Sequence, residues 1–124
     1  MTKNEVRFDP NDGILYTYSS NVTTLEHMLQ GIDGIISNKE LPRELKILED
    51  GRGAQVTFPP KDLSILVDKL ELALLQYLSL RQAVVHDDPR NTALAVLINR
   101  HMKNEKYVLE VFSTIEAARL WLLL

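Results

Sequence analysis

Four carboxylates, Glu49, Asp50, Asp87 and Asp88, fall where two short apolar runs end, and Gly51-Arg52-Gly53 follows the first of them. Carboxylates gathered at neighbouring strand ends can hold a divalent cation or, with one pKa raised, act as an acid–base pair. Asp88, however, stands directly before Pro89 and suits a helix N-cap, and Asp50 suits a turn. The further oxygen ligands that a cation needs have no obvious source, so structural duty explains these carboxylates better. Gly51-Arg52-Gly53 offers backbone amides and a guanidinium near a helix start, the ingredients of an anion site. It lacks the spacing of a P-loop or a dinucleotide fingerprint, and a glycine turn with Arg52 solvated or pairing with Asp50 is the simpler reading. Asp50, Gly51, Arg52 and Gly53 remain the best candidates for ligand or partner contact, because binding in open α/β sheets gathers at the carboxyl ends of strands.

His27, His86 and His101 share no metal-ligand spacing, and no GxSxG elbow exposes Ser19, Ser20 or Ser64 as a nucleophile. Cysteine is absent, which removes disulfides, thiolate metal sites and thiol catalysis. No catalytic residue, metal or cofactor is assigned, and the expectation is a protein that is not an enzyme. A net charge of −3 with scattered Lys and Arg argues against nucleic acid, since counterion release needs clustered cations. The opening residues are polar, and no apolar run approaches the roughly 18 residues of a membrane span, so cytoplasm is the expected location.

The elements that must position these residues follow from periodicity. With 124 residues, 45% of them hydrophobic, the chain has the profile of one domain spanning 1–124. Glu5–Phe8 and Ile14–Ser19 flank the turn formers Asp9-Pro10-Asn11-Asp12-Gly13 and read as an opening hairpin. From Thr23, Leu25, Met28, Leu29, Ile32, Ile35 and Ile36 make a helical stripe, weakened or interrupted by Gly31 and Gly34. Leu45 to about Asp50 reads as a buried strand, while Gln55–Phe58 fits no period clearly. A very apolar helix is expected from about Lys61 to Leu80, then a strand from Gln82 to Asp87 and a helix from Asp88 to about Met102. Tyr107–Phe112 completes the strands. Ser113-Thr114-Ile115-Glu116 reads as a capping box opening a helix that buries Ala118, Trp121 and Leu122.

The order β-β-α-β-α-β-α-β-α predicts an α/β fold with a mixed five-stranded sheet and four helices, an antiparallel hairpin first and parallel strands after it. Thr17, Lys46, Gln82, His86 and Glu110 interrupt the apolar strands, which predicts one sheet face under helices and the other partly exposed. That favours a sequential strand order over a doubly wound sheet.

With these elements in place, "LKILEDGRGA", "FPPKDL", "AVVHDDPRNTALAVL" and "VFSTIEAARLWL" together resemble the STAS-like bacterial proteins related to anti-sigma-factor antagonists. The similarity is to the SpoIIAA-like subgroup, which shares its fold with CRAL-TRIO lipid-binding domains, and it covers nearly the whole chain. It implies a non-enzymatic regulatory role through protein partners. It also implies a phosphorylated hydroxyl at the start of the helix after the central strand, within an Asp-Ser-Ser-Gly-like context. Here Lys61-Asp62-Leu63-Ser64-Ile65 lacks the glycine, leaving Ser64 as the nearest hydroxyl and Thr57 as the second.

Two functions are compatible with this reading. The first is an interaction module, dimeric if the off-stripe Ile65, Leu72 and Leu75 and the terminal Leu122-Leu123-Leu124 meet a second copy. The alternative is a carrier or sensor of a lipid or other small apolar ligand. Against it stands chain length: 124 residues leave little to build both a core and a cavity of the usual ~300–1,000 Å3.

Overall fold

The computed structural model describes residues 3–124, with side chains for all of these but Lys3, Asn4, Ser20 and Asn21. β1 (Lys3–Asp9) and β2 (Ile14–Thr23) form the antiparallel hairpin. Its turn is tied by side chains: the Asn11 amide donates to Asp9 Oδ1 and the Ile14 amide to Asp12 Oδ1, both at 2.9 Å. Gly13 takes a φ of 73°, a conformation that a Cβ would penalise.

α1 (Leu25–Ser37) runs unbroken through Gly31 and Gly34. Thr24 caps it, its Oγ1 accepting from the His27 amide while its own amide points at His27 Nδ1. β3 (Glu44–Asp50) and the short β4 (Ala54–Val56) lead through a single 3-10 turn to α2 (Leu63–Leu74). β5 (Ser79–Val85), α3 (Pro89–His101), β6 (Tyr107–Phe112) and α4 (Ile115–Leu123) follow. The sheet order is β1-β2-β3-β5-β6, sequential as expected and parallel from β2 onward. β4 is an addition: it pairs parallel with the end of β2, from Asn21 opposite Ala54 to Thr23 opposite Val56.

The pleat sorts the strand residues onto two faces. Leu15, Ile47, Leu80 and Leu109 face α1, α2 and α3, meeting Ile35, Leu66, Leu70 and Ile98 in the larger core. Ile14, Leu48, Ala83 and Val85 face α4, against Ala118 and Leu122. Helices thus lie mainly on one side, with α4 alone on the other. The Arg81 guanidinium stacks 4.3 Å over the Trp121 ring and donates to the Trp121 carbonyl at 2.6 Å, placing a cation at the negative end of α4.

Three features differ from the periodic reading. The long helix stops at Leu74, not Leu80. The Leu75, Gln76 and Tyr77 amides reach back only three residues, and the Leu78 amide then donates to the Arg43 carbonyl at 2.8 Å. That bond begins β5 earlier than expected, and the apolar run Tyr77-Leu78-Ser79-Leu80 suits either period. The cap of α4 is Thr114, which accepts from the Ala117 amide at 3.1 Å, so the expected Ser113 box is displaced by one residue. Finally, Thr17, Gln82 and His86 do not lie on the partly exposed face. Alternation puts them under the three helices, while Lys46 and Glu110 share the α4 side.

If α4 is a structural cover, Leu122→Ala should cost about 2–5 kcal/mol in chemical denaturation, the range for a buried leucine. Leu124→Ala, 87% exposed, should stay within about 0.5 kcal/mol. Equal midpoints for the two variants would contradict the packing of α4.

Candidate functional site

β3 ends at Asp50, and the Gly51 amide crosses to the Val85 carbonyl at 2.8 Å. Arg52 folds back on the strand: Nε donates to Asp50 Oδ1 at 2.9 Å and Nη2 to Oδ2 at 2.8 Å. This fork holds the Asp50 carboxyl below its ordinary pKa against the opposing effect of partial burial. Gly53 has a φ of 81°, so glycine is required there. Gly51 is buried and Arg52 and Gly53 are exposed, but the guanidinium is already engaged, and an added anion would compete with Asp50.

The four strand-end carboxylates do not meet. Asp50 belongs to the face away from the three helices, whereas Glu49 turns under them. Asp88 caps α3 through the Arg90 amide at 2.9 Å and pairs with the Arg90 guanidinium, and Asp87 is exposed. Among the described residues no cluster of His, Cys, Asp or Glu could hold a metal ion. His27 serves in the α1 cap, and exposed His101 contacts the Leu97 carbonyl through Nδ1 at 2.9 Å. The Ser20 side chain lies outside the described residues. Ser64 is exposed in the first turn of α2; Thr57 is exposed before the 3-10 turn, its amide donating to the Thr23 carbonyl at 3.2 Å.

Residue spacing did not point to it, but a pocket of about 530 Å3, partly open to solvent, lies between the sheet and α1, α2 and α3.

Leucine, isoleucine and valine make up less than half of its lining, and polar groups stand toward the carboxyl ends of the strands. Thr17 stands beside Glu49 in the β2–β3 register. Gln82 Nε2 donates to Glu49 Oε1 at 3.1 Å, and Tyr107 Oη donates to Gln82 Oε1 at 2.7 Å. Partial burial raises the Glu49 pKa, against the Gln82 hydrogen bond, which lowers it. Burial, with Glu49 adding to it, also drives the Tyr107 phenol up. His86 is 6% exposed and its pKa is lowered by burial, although Asp88 and Asp87 oppose this. Both of its ring nitrogens lack a partner, as do the buried hydroxyls of Thr17 and Thr23. In sequence the visible signal was one polar residue on each of three adjacent strands, at positions sharing a face.

Glu49 gives the site a pH signature. A carboxyl whose folded pKa is raised weakens the fold as pH climbs, because the unfolded chain ionises first. Glu49→Gln should therefore be more stable than the wild type at neutral pH. The gain should vanish below about pH 4, where the carboxyl is protonated in both states. Urea midpoints of the two proteins across this range test it; parallel pH profiles would count against a buried Glu49.

No protein-family model matches the chain, and no curated protein matches it. Solved structures do. One is an uncharacterised protein of the DUF3478 family with a SpoIIAA-like fold from Shewanella loihica PV-4: TM-score 0.58, 17% identity, 98% of this chain and 93% of that one covered. Another is an anti-sigma factor antagonist from Mycobacterium paratuberculosis: TM-score 0.59, 11% identity, 98% and 94% covered. With its sequential mixed sheet and four helices, the chain has the STAS-like, SpoIIAA-like α/β fold.

Proposed function

We propose that the chain is a non-enzymatic regulatory module of a bacterial cytoplasm, acting through protein contacts as anti-sigma-factor antagonists do. The observation that carries this reading is the outer flank of α2 and the turn after it. Ile65 (47%), Leu72 (53%), Leu75 (77%) and Leu78 (65%) are exposed there, although their neighbours Leu66, Leu70, Leu74 and Tyr77 are buried. An apolar row of this kind beside a finished core marks a contact surface. A second copy of the chain is the occupant proposed for it.

At the other end of α2, the Asp50–Ala54 loop and Ser64 form the recognition edge for a different protein. Ser64 is the hydroxyl offered to a kinase, because a phosphate in the first turn of a helix gains from the dipole; Thr57 is the second choice. The likeness to an anti-sigma factor antagonist supports a protein partner, and no helix among the described residues is long and apolar enough to cross a membrane. A second reading, a carrier or sensor of a small apolar ligand, draws nothing from the comparisons beyond the fold. It is supported by the cavity and its unpartnered polar atoms.

Light scattering after size exclusion should find a dimer in the wild type and a folded monomer in Leu72→Glu/Leu75→Glu, since carboxylates resist burial in an apolar interface. A wild type that stays monomeric at high protein concentration would remove the self-association. Arg52→Ala should leave the thermal transition in place while abolishing capture of the partner protein. Capture that survives the substitution would clear the loop of that role.

A further inference from the structure

We propose that β1 is a self-complementary edge: two copies of the chain pair β1 against β1, antiparallel and centred on Val6, and so join their sheets into one.

The sheet has two edges, β1 and β6, and they are finished differently. On β6 the Lys106 carbonyl accepts from the Leu80 amide and the Phe112 carbonyl from the His86 amide, so even-numbered residues face β5 and Leu109 faces out. That outward Leu109 carbonyl is already taken by Asn99 Nδ2 of α3 at 2.8 Å. On β1 the Asp9 carbonyl turns inward, accepting from the Gly13 amide at 2.8 Å. Backbone groups alternate along a strand, so Asn4, Val6 and Phe8 send N–H and C=O outward. The other side of β2 agrees. The Arg43 carbonyl and the Gly51 amide both bond to the β5 side, and carrying that alternation through the two registers again leaves the even residues of β1 outward. Among the described residues, no hydrogen bond reaches Val6 or Phe8 from outside.

Nor is β1 blunted as edges usually are. It runs 7 residues in unbroken register, without a bulge or a proline. Phe8 packs into the larger core, so the even residues face the three helices, yet Val6 among them is 68% exposed. The odd residues lie on the α4 side, where the Arg7 guanidinium sits 4.6 Å over the Tyr16 ring. Arg7 is also 3.7 Å from Asp9, but its side chain stays 64% exposed, and Glu5 is exposed beside it.

The charges choose the partner and the register. Outward groups meet only if even residues stand opposite even residues, which allows a two-fold pairing centred on Glu5, Val6 or Arg7. Centred on Glu5, two glutamates face each other; centred on Arg7, two arginines do, with Glu5 opposite Asp9. Like charges directly across a strand pair destabilise it, and opposite charges stabilise it. Only the pairing centred on Val6 sets Glu5 of each copy against Arg7 of the other, with Val6 against Val6. In sequence the antisymmetry runs one step further, Lys3 against Asp9. The strand thus carries its own complement, and a second copy is the occupant. An axis perpendicular to the sheet then keeps α4 on the same side in both copies.

This contact is separate from the apolar row of α2, which packs between α1 and α3. A short, largely polar strand pair is also the weaker of the two. The test therefore uses Leu72→Glu/Leu75→Glu, in which β1 is the remaining self-contact. Monomeric at the dilution of a sizing column, it should pair reversibly in sedimentation equilibrium as its concentration rises. Glu5→Arg and Arg7→Glu, each added to it, should weaken pairing about tenfold, because like charges then meet at both symmetry-related positions. Mixing the two reversed proteins should restore pairing, since each supplies the charge the other lacks. Val6→Pro removes an outward N–H but no bond to β2, and should abolish pairing while the thermal transition survives. A mixture that pairs no better than its components would overturn the register and the proposal with it. So would a folded Leu72→Glu/Leu75→Glu protein that stays monomeric at every concentration, without touching the α2 contact surface.

Discussion

The in-register pleat of β2, β3, β5 and β6 is the constraint on which the rest of this structure depends. Adjacent residues on a strand point to opposite faces, and the parallel pairing aligns that alternation from strand to strand. Thr17 is level with Glu49, Ile47 with Gln82, and Leu80 with Tyr107. One set of positions therefore converges under α1, α2 and α3, and the other, Ile14, Leu48, Ala83 and Val85, under α4. A shift of one residue in any strand would turn the side chains that face α1, α2 and α3 toward α4.

The two sides of the sheet are held differently. On the α4 side, packing is reinforced by specific polar locks. Tyr16 Oη donates to Asp12 Oδ2 at 2.6 Å, and the Arg119 guanidinium reaches both Tyr16 Oη at 2.9 Å and Asp12 Oδ2 at 3.3 Å. Burial works against the Asp12 charge, but the hydrogen bonds from Tyr16 and the Ile14 amide, together with Arg119, still lower its pKa. Hairpin turn and last helix are thus joined across nearly the whole length of the chain. On the opposite side α1 is moored to α2 and the turn beyond it, and a cavity lies between its glycines and the sheet.

Buried polar groups are costly unless satisfied, and this interior carries a chain of them. Tyr107, Gln82 and Glu49 satisfy one another in series; His86, Thr17 and Thr23 do not. The apolar row on α2 is the outward counterpart of this imbalance, surface left uncovered where polar residues would be expected.

Local sequence determined the elements and their order. Asp9 to Gly13 could only be a turn, Asp88-Pro89 opened a helix, and the apolar stripes of the first three helices set which face each would bury. The sequential mixed sheet followed from strands alternating with helices, because parallel neighbours need a crossover. One boundary resisted: Tyr77-Leu78-Ser79-Leu80 suits a helix or a strand, and only the Leu78–Arg43 hydrogen bond decides between them. The loop at Asp50–Gly53 was legible as a glycine turn, including the pairing of Arg52 with Asp50, since both residues are two apart in the chain. The cavity was not. Its polar end is assembled from Thr17, Glu49, Gln82 and His86, residues on three strands or just beyond them, whose common face depends on inter-strand register. Its volume depends on how far α1 stands from β1 and β2. Neither quantity has a local signal, because both are set by packing between segments distant in sequence.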